Sequence, residues 1–285
     1  MALIGLLIVL GSIGGGFAIA GGHFEVLIQP SEFVVLLGAA AGILIASAPG
    51  KMRSRAFHAF GAAFKDAIPK KQDYVDLLKL QFEIFSLMRR DGQLAIEPHL
   101  TDPTKSDLFK KYGSVAKQHL ALNFLVEALQ QVVNGVSPEE LDQALDAELD
   151  TAKEEGHLPV ALLKTVGDAL PGIGIVAAVL GIIVTMGHMD APPAVIGHHV
   201  AAALVGTFLG ILLCYGFIQP LAGSVESQEV HQIRYLLCIK QGVIATMRGC
   251  PPSVAVDFAR KMIFNDERPS FQEMDKILRA TKGGS

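Results

Sequence analysis

Basic side chains are missing from two long stretches of this 285-residue chain. Residues 1–50 and 165–221 contain no Lys or Arg; of the 24 in the protein, fifteen fall in 51–164 and nine in 222–285. Acids are nearly missing from the same stretches, where only Glu25, Glu32, Asp168 and Asp190 occur. Charged residues make up 18% of the chain against 51% hydrophobic, and the mean hydropathy is +0.41. A soluble domain spreads charge over every exposed face, so these absences exclude disorder and an ordinary soluble enzyme. Cysteine is scarce as well. Cys214, Cys238 and Cys250 show no CxxC and no Cys/His ligand spacing, which excludes a disulfide scaffold. Walker A, HExxH and GxSxG sequences are also lacking, and no nucleophile stands beside a plausible base. The chain is therefore read as no enzyme, with no cofactor, no metal and no nucleic-acid partner.

What fills the charge-free stretches is apolar sequence in four runs. They span roughly 2–20, 33–49, 166–189 and 195–221, each close to the ~20 residues a helix needs to cross the hydrocarbon core. The first run has no basic n-region and no convincing cleavage site, so it is expected to be a retained span. The connectors 21–32 and 190–197 carry no Lys or Arg, whereas Lys51, Arg53 and Arg55 follow the second run. The positive-inside rule then places both termini, residues 51–164 and the tail in the cytoplasm, and both connectors outside.

The basic regions have helical periodicity. Residues 74–88 repeat apolar side chains at helical spacing and stop at Asp91-Gly92. A second helix is predicted over about 114–134, ending at Gly135. Ser137, Pro138, Glu139 and Glu140 then read as an N-cap, a first-position proline and early acids, opening a third helix to about residue 155. Its acids (Glu139, Glu140, Asp142, Asp146, Glu148, Asp150) are read as a solvated face. Two tail helices are expected over about 224–248 and 252–264, with a short one near 271–280. The fold class is all-α: a polytopic membrane protein with four transmembrane helices and a helical cytoplasmic domain. Its blocks are 1–50 (membrane helices 1 and 2), 51–164 (cytoplasmic), 165–221 (membrane helices 3 and 4) and 222–285 (cytoplasmic tail).

Within the spans, Gly11/Gly15, Gly38/Gly42 and Gly206/Gly210 are GxxxG pairs of the kind that lets helices approach closely in lipid, pointing to a tightly packed, multi-chain assembly. Pro171 lies five residues into the third span and Pro220 closes the fourth; each frees a carbonyl that protein or water must meet. Asp168, near the cytoplasmic end of the third span, is the only ionisable candidate there, and its depth suits a helix start better than an ion relay. His188, Asp190, His198 and His199 lie near the outer side, but adjacent histidines on a helix point about 100° apart and cannot readily share an ion.

Several segments resemble a known family. Residues 205–221 (VGTFLGILLCYGFIQPL) and 167–181 (GDALPGIGIVAAVLG) are similar to the fourth and third membrane helices of the MotA flagellar stator family, part of the MotA/TolQ/ExbB proton channel family. The segments QPSE at 29–32, PPSVAVDF at 251–258 and ERPSF at 267–271 match it too. The resemblance implies a ring of five copies in the bacterial inner membrane around a MotB-type partner. That partner supplies the ion-binding aspartate, which is what the missing mid-membrane carboxylate requires. Ion flow then drives rotation against the rotor protein FliG. The resemblance makes Pro171 and Pro220 hinges, and Arg89 or its neighbour Arg90, together with Glu97, the rotor interface. Sodium-type members carry a threonine seven residues after the first proline. Here Ala178 stands there, and a methyl cannot replace water around sodium as a hydroxyl can. The expected ion is a proton, with Thr207 as a further pore-lining group. A TolQ/ExbB-like energiser of outer-membrane processes and a non-conducting scaffold are the rival readings. The long first cytoplasmic loop and the ERPSF tail favour the stator over the former, and co-purification of a single-span partner would argue against the latter.

Overall fold

The computed structural model describes residues 2–65 and 67–282; positions 1, 66 and 283–285, the last three belonging to the expected tail, lie outside the described residues. In chain order the helices are α1 (Ala2–Ile19), α2 (Pro30–Ser47), α3 (Gly50–Ala62), α4 (Lys71–Asp91), α5 (Glu97–Thr101), α6 (Asp107–Lys110), α7 (Gly113–Ala116), α8 (His119–Val133), α9 (Pro138–Met186), α10 (Pro193–Ile211), α11 (Gln219–Met247), α12 (Pro252–Arg260) and α13 (Phe271–Lys282). No strand occurs among the described residues. Four helical stretches are long and apolar enough to cross a membrane: α1, 24–47, α9 and 193–247. The chain forms two compact units, one of residues 1–67 and 155–227 and the other of 68–154 and 228–285.

Local sequence explains most helix limits. The Lys70 backbone N–H donates to Asp73 Oδ2 at 2.7 Å and opens α4, and Gly92 closes it at φ +90°, a conformation that side-chain-bearing residues rarely adopt. Gly135, at φ +81°, separates α8 from α9. Ser137 and Glu140 then form a capping box: the Glu140 N–H donates to Ser137 Oγ at 3.3 Å, and Glu140 Oε2 accepts from the Ser137 N–H at 3.2 Å. The expected break between residues 155 and 166 is not there; α9 runs through it, with Pro159 and Pro171 inside the helix. Alanines, leucines and a lysine carry the helix past Pro159, which removes a single donor.

The second unit has a dense core. Tyr74, Leu77, Leu78, Phe85, Phe109, Phe124, Leu125 and Tyr235 are buried in one cluster. Gln81 Nε2 donates to the Ile239 carbonyl at 3.1 Å within it. The acids of α9 are not all a solvated face: Asp142 and Asp146 each accept from the buried Lys240 ammonium at 2.6 Å, and Asp142 also holds Arg248 at 2.8 Å. A lysine this enclosed stays charged only with paired acids beside it, a need the helical spacing of the run did not reveal.

In the first unit, α9 and α10 cross on glycine. A Cβ added at Gly174 would lie 2.7 Å from the Gly206 carbonyl oxygen, and one at Gly210 would lie 2.5 Å from the Leu170 carbonyl oxygen. At Gly181 it would lie 2.6 Å from the Ala203 Cβ. The Gly206/Gly210 pair is thus spent on packing inside one chain. Gly11, Gly15, Gly38 and Gly42 meet nothing within 4 Å and stand on open faces.

Candidate functional site

The predicted residues fall in two groups, one in each unit. In the first unit the helix does not end at Pro220. A π-helical turn, Leu212–Ile218, precedes it, the Gln219 N–H reaches back to the Cys214 carbonyl, and α11 continues through the proline. The extra residue of a π turn re-registers the helix where proline cannot donate, so the ring is accommodated without a break. Pro171, which cannot donate to the Gly167 carbonyl, lies in the facing stretch of α9. A Cβ added at Gly167 would lie 2.8 Å from Ile218 Cγ2, in the π turn, so the Ile218 side chain packs directly on the α9 backbone here. Gln219 Nε2 donates to Asp168 Oδ1 at 2.5 Å, tying the residue before Pro220 to the residue three before Pro171. Leu170, Cys214 and Ile218 pack in one apolar cluster around the same place. The structure therefore brings the turns of both prolines together, with Asp168 exposed at their edge.

Ala178 and Thr207 lie further along α9 and α10, both half-buried. Thr207 Oγ1 donates to the Gly174 carbonyl of α9 at 3.4 Å, a long bond that points across the helix crossing rather than back along α10. Asp168 is not the sole ionisable group of the spans. Glu32 was assigned to an outer connector, but α2 begins at Pro30, which makes Glu32 its third residue and buries it in the packed helices. Proline at the first helical position followed by an early acid is a helix-start signature, and QPSE carried it in plain view. At the far ends of α9 and α10, the His188 and His199 rings stack with centroids 5.5 Å apart, while those of His198 and His199 are 6.4 Å apart. No cluster of three metal-ligating side chains occurs among the described residues.

In the second unit α4 ends on Arg89 and Arg90. Arg90 is committed: its Nε donates to Asp91 Oδ1 at 3.0 Å and its Nη2 to Oδ2 at 2.8 Å. The hydrogen bond from Arg90 holds the Asp91 carboxyl below the usual carboxylate range, and Asp91 raises the guanidinium in turn. Arg89 is exposed and has no partner among the described residues. After the turn at Gly92, Ile96 and Leu100 anchor the chain in the core, which leaves Glu97 exposed at the start of α5, its carboxylate equally unpaired. Leu94, 67% exposed, lies between these residues in the sequence; single apolar surface residues leave no trace in a sequence pattern, and it was missed. Residues 89–97 thus present an unpaired cation at Arg89, an unpaired anion at Glu97 and the exposed Leu94.

Residues 3–92 match the Motility protein A N-terminal family, and residues 116–235 match the MotA/TolQ/ExbB proton channel family. Motility protein A of Escherichia coli (strain K12) is 36% identical over 99% of this chain and 96% of its own length. The chain belongs to the motility protein A family. These are the stator subunits of flagellar motors, within the proton channel family. Chemotaxis protein LafT of Vibrio parahaemolyticus is 34% identical over 98% of this chain and 99% of its own length. The fold agrees with that of the C. jejuni MotAB structure, at a TM-score of 0.80 and 21% identity over 94% of this chain and 98% of that one. It also agrees with the flagellar MotAB stator complex of Bacillus subtilis, at 0.75 and 24% over 90% and 92%. Both prolines, Ala178 and Thr207 fall in the channel-family match and Arg89 and Arg90 in the motility one, whereas Glu97 lies between the two matched ranges.

Proposed function

We propose that this chain is the ion-conducting, torque-generating stator subunit of a bacterial flagellar motor. It couples proton flow, with a MotB-type partner carrying the ion-binding aspartate, to rotation against FliG. Five copies sit in the inner membrane with both termini in the cytoplasm. The chain itself performs no catalysis and holds no cofactor. The observation that carries the reading is the joining of the two proline turns through Asp168 and Gln219 beside a π turn. Such a place can change shape at low cost, because its backbone hydrogen bonds are already incomplete. A protonation event on a neighbouring chain can bias that shape, and the charges at Arg89 and Glu97 can pass the change to a rotor by steering and register rather than by tight binding.

The experiment is complementation of a stator deletion strain. Pro171→Ala and Pro220→Ala each restore one amide donor, so both variants are expected to insert and assemble while torque is severely reduced or abolished. Normal swimming by either variant at normal expression removes the hinge role.

A further inference from the structure

Glu32 is 6% exposed, and its Oε2 has no hydrogen-bond partner among the described residues. It faces a seam made by α2, α9 and α10. A Cβ added at Gly206 of α10 would collide with Oε2 and lie 3.2 Å from the carboxyl carbon, and 2.9 Å from Ala177 Cβ of α9. Glycine at position 206 is what leaves space for the carboxyl. No other ionisable side chain occurs in α2, and none in α9 between Asp168 and Met186. On α10 the ionisable groups are His198 and His199, two turns from Gly206 toward the helix start, and Glu25 of the connector is exposed. The carboxyl therefore has no counter-ion among the described residues, in surroundings where an unpaired charge is costly. A sequence that retains such a group inside a membrane marks an ion pathway by default. The positive end of the α2 dipole can meanwhile support its negative form.

We propose that Glu32 is a proton-carrying residue of the ion path, set on the connector side of the α2–α9–α10 seam. This rests on the ion-conducting reading above and adds a second protonatable carboxyl to it, on this chain. The proton enters from the connector side and binds one carboxylate oxygen of Glu32. That O–H bond breaks again as the proton leaves for the partner's carboxylate, and nothing is oxidised or reduced. The space opposite Oε2 at Gly206 lets the group receive and release its proton without displacing α10.

The test uses the full chain expressed with its MotB-type partner, reading cytoplasmic acidification and, separately, co-purification of the partner. Glu32→Gln keeps the shape and the hydrogen-bonding capacity but cannot carry a proton. It is expected to assemble and to lose proton flux about a hundredfold, the scale of removing a proton-transfer group, while Glu32→Asp retains part of the flux. A Glu32→Gln stator that assembles and conducts like the wild type overturns the proposal. A wild-type complex that does not acidify the cytoplasm overturns the conduction reading itself. If Glu32→Gln fails to assemble, an apolar carbodiimide, which attacks buried protonated carboxyls, decides on the wild-type complex. An adduct mapped to Glu32 that tracks loss of flux supports the role, and an unmodified Glu32 in fully inhibited complexes overturns it.

Discussion

Arg89 and Arg90 are adjacent and chemically identical, yet only one has a hand free. Because Asp91 engages two nitrogens of Arg90, reversing Arg90 removes a charge that is already compensated, whereas reversing Arg89 or Glu97 removes an unpaired one. Exposed charge pairs are worth only about 0–1 kcal/mol each. Arg89→Glu and Glu97→Lys should therefore slow swimming partially, Arg90→Glu less, and Arg89→Glu with Glu97→Lys more than either alone. A compensating reversal on the rotor should recover part of the loss, as tracked in swimming cells; an Arg90→Glu defect larger than that of Arg89→Glu would reassign the grip. A neighbouring turn gives a titration to follow. Asp102 accepts from Lys105 Nζ at 2.8 Å and from Thr104 Oγ1 at 2.6 Å, and its carboxyl is drawn down to about 2, first by the lysine and then by the hydroxyl. A folded value below the ordinary one means the turn's contribution is complete above the usual carboxylate range and is lost as pH falls toward 2. NMR titration should place the Asp102 midpoint near 2 in the wild type and higher in Lys105→Gln.

Glycine divides the helices into those finished within the chain and those left open. Gly174 and Gly210 sit where a Cβ would meet backbone, which cannot rotate away, so alanine at either should cost about 1–3 kcal/mol by overpacking. Gly38→Ala and Gly42→Ala meet open space in this chain and should leave its own thermal midpoint unchanged. A defect in the latter pair appears only in co-purification with other copies or the partner, if those faces are used there. Detergent-solubilised protein, melted with and without partner, separates the two cases; a lowered midpoint for the isolated Gly38→Ala chain would contradict the open face. The sequence pattern disclosed which residues are small but not which face each pair serves, because a GxxxG spacing is the same whether its partner helix belongs to this chain or to another. The proline elements show a similar limit. Composition located both prolines, but the π turn before Pro220 has no residue signature and became visible only through the backbone. Glu32 was legible and misread: counting it with a connector hid a helix start that Pro30 announces.

At the scale of the molecule, four apolar runs and two basic blocks were enough to read an all-helical chain with four helices able to span a membrane, because lipid forbids most alternatives. On the proposed proton-driven reading, with a methyl at Ala178 and the Thr207 hydroxyl turned toward the Gly174 carbonyl, swimming should persist in sodium-free medium and collapse with a protonophore. Motility that needs sodium and survives the protonophore would reverse the assignment. The division of the chain also bears on its synthesis. The second unit is made of residues 68–154 and 228–285, and residues 155–227, which belong to the other unit, are translated between its two parts. At ~5–20 residues per second the ribosome takes roughly 4–15 s over that interval. Through it the apolar faces of α4 and α8 wait without Tyr235, Ile239 and Val256, the later residues of their core. The newborn protein thus has a window in which its largest core is half made, and chaperones or proteases that read exposed apolar helices would meet it there.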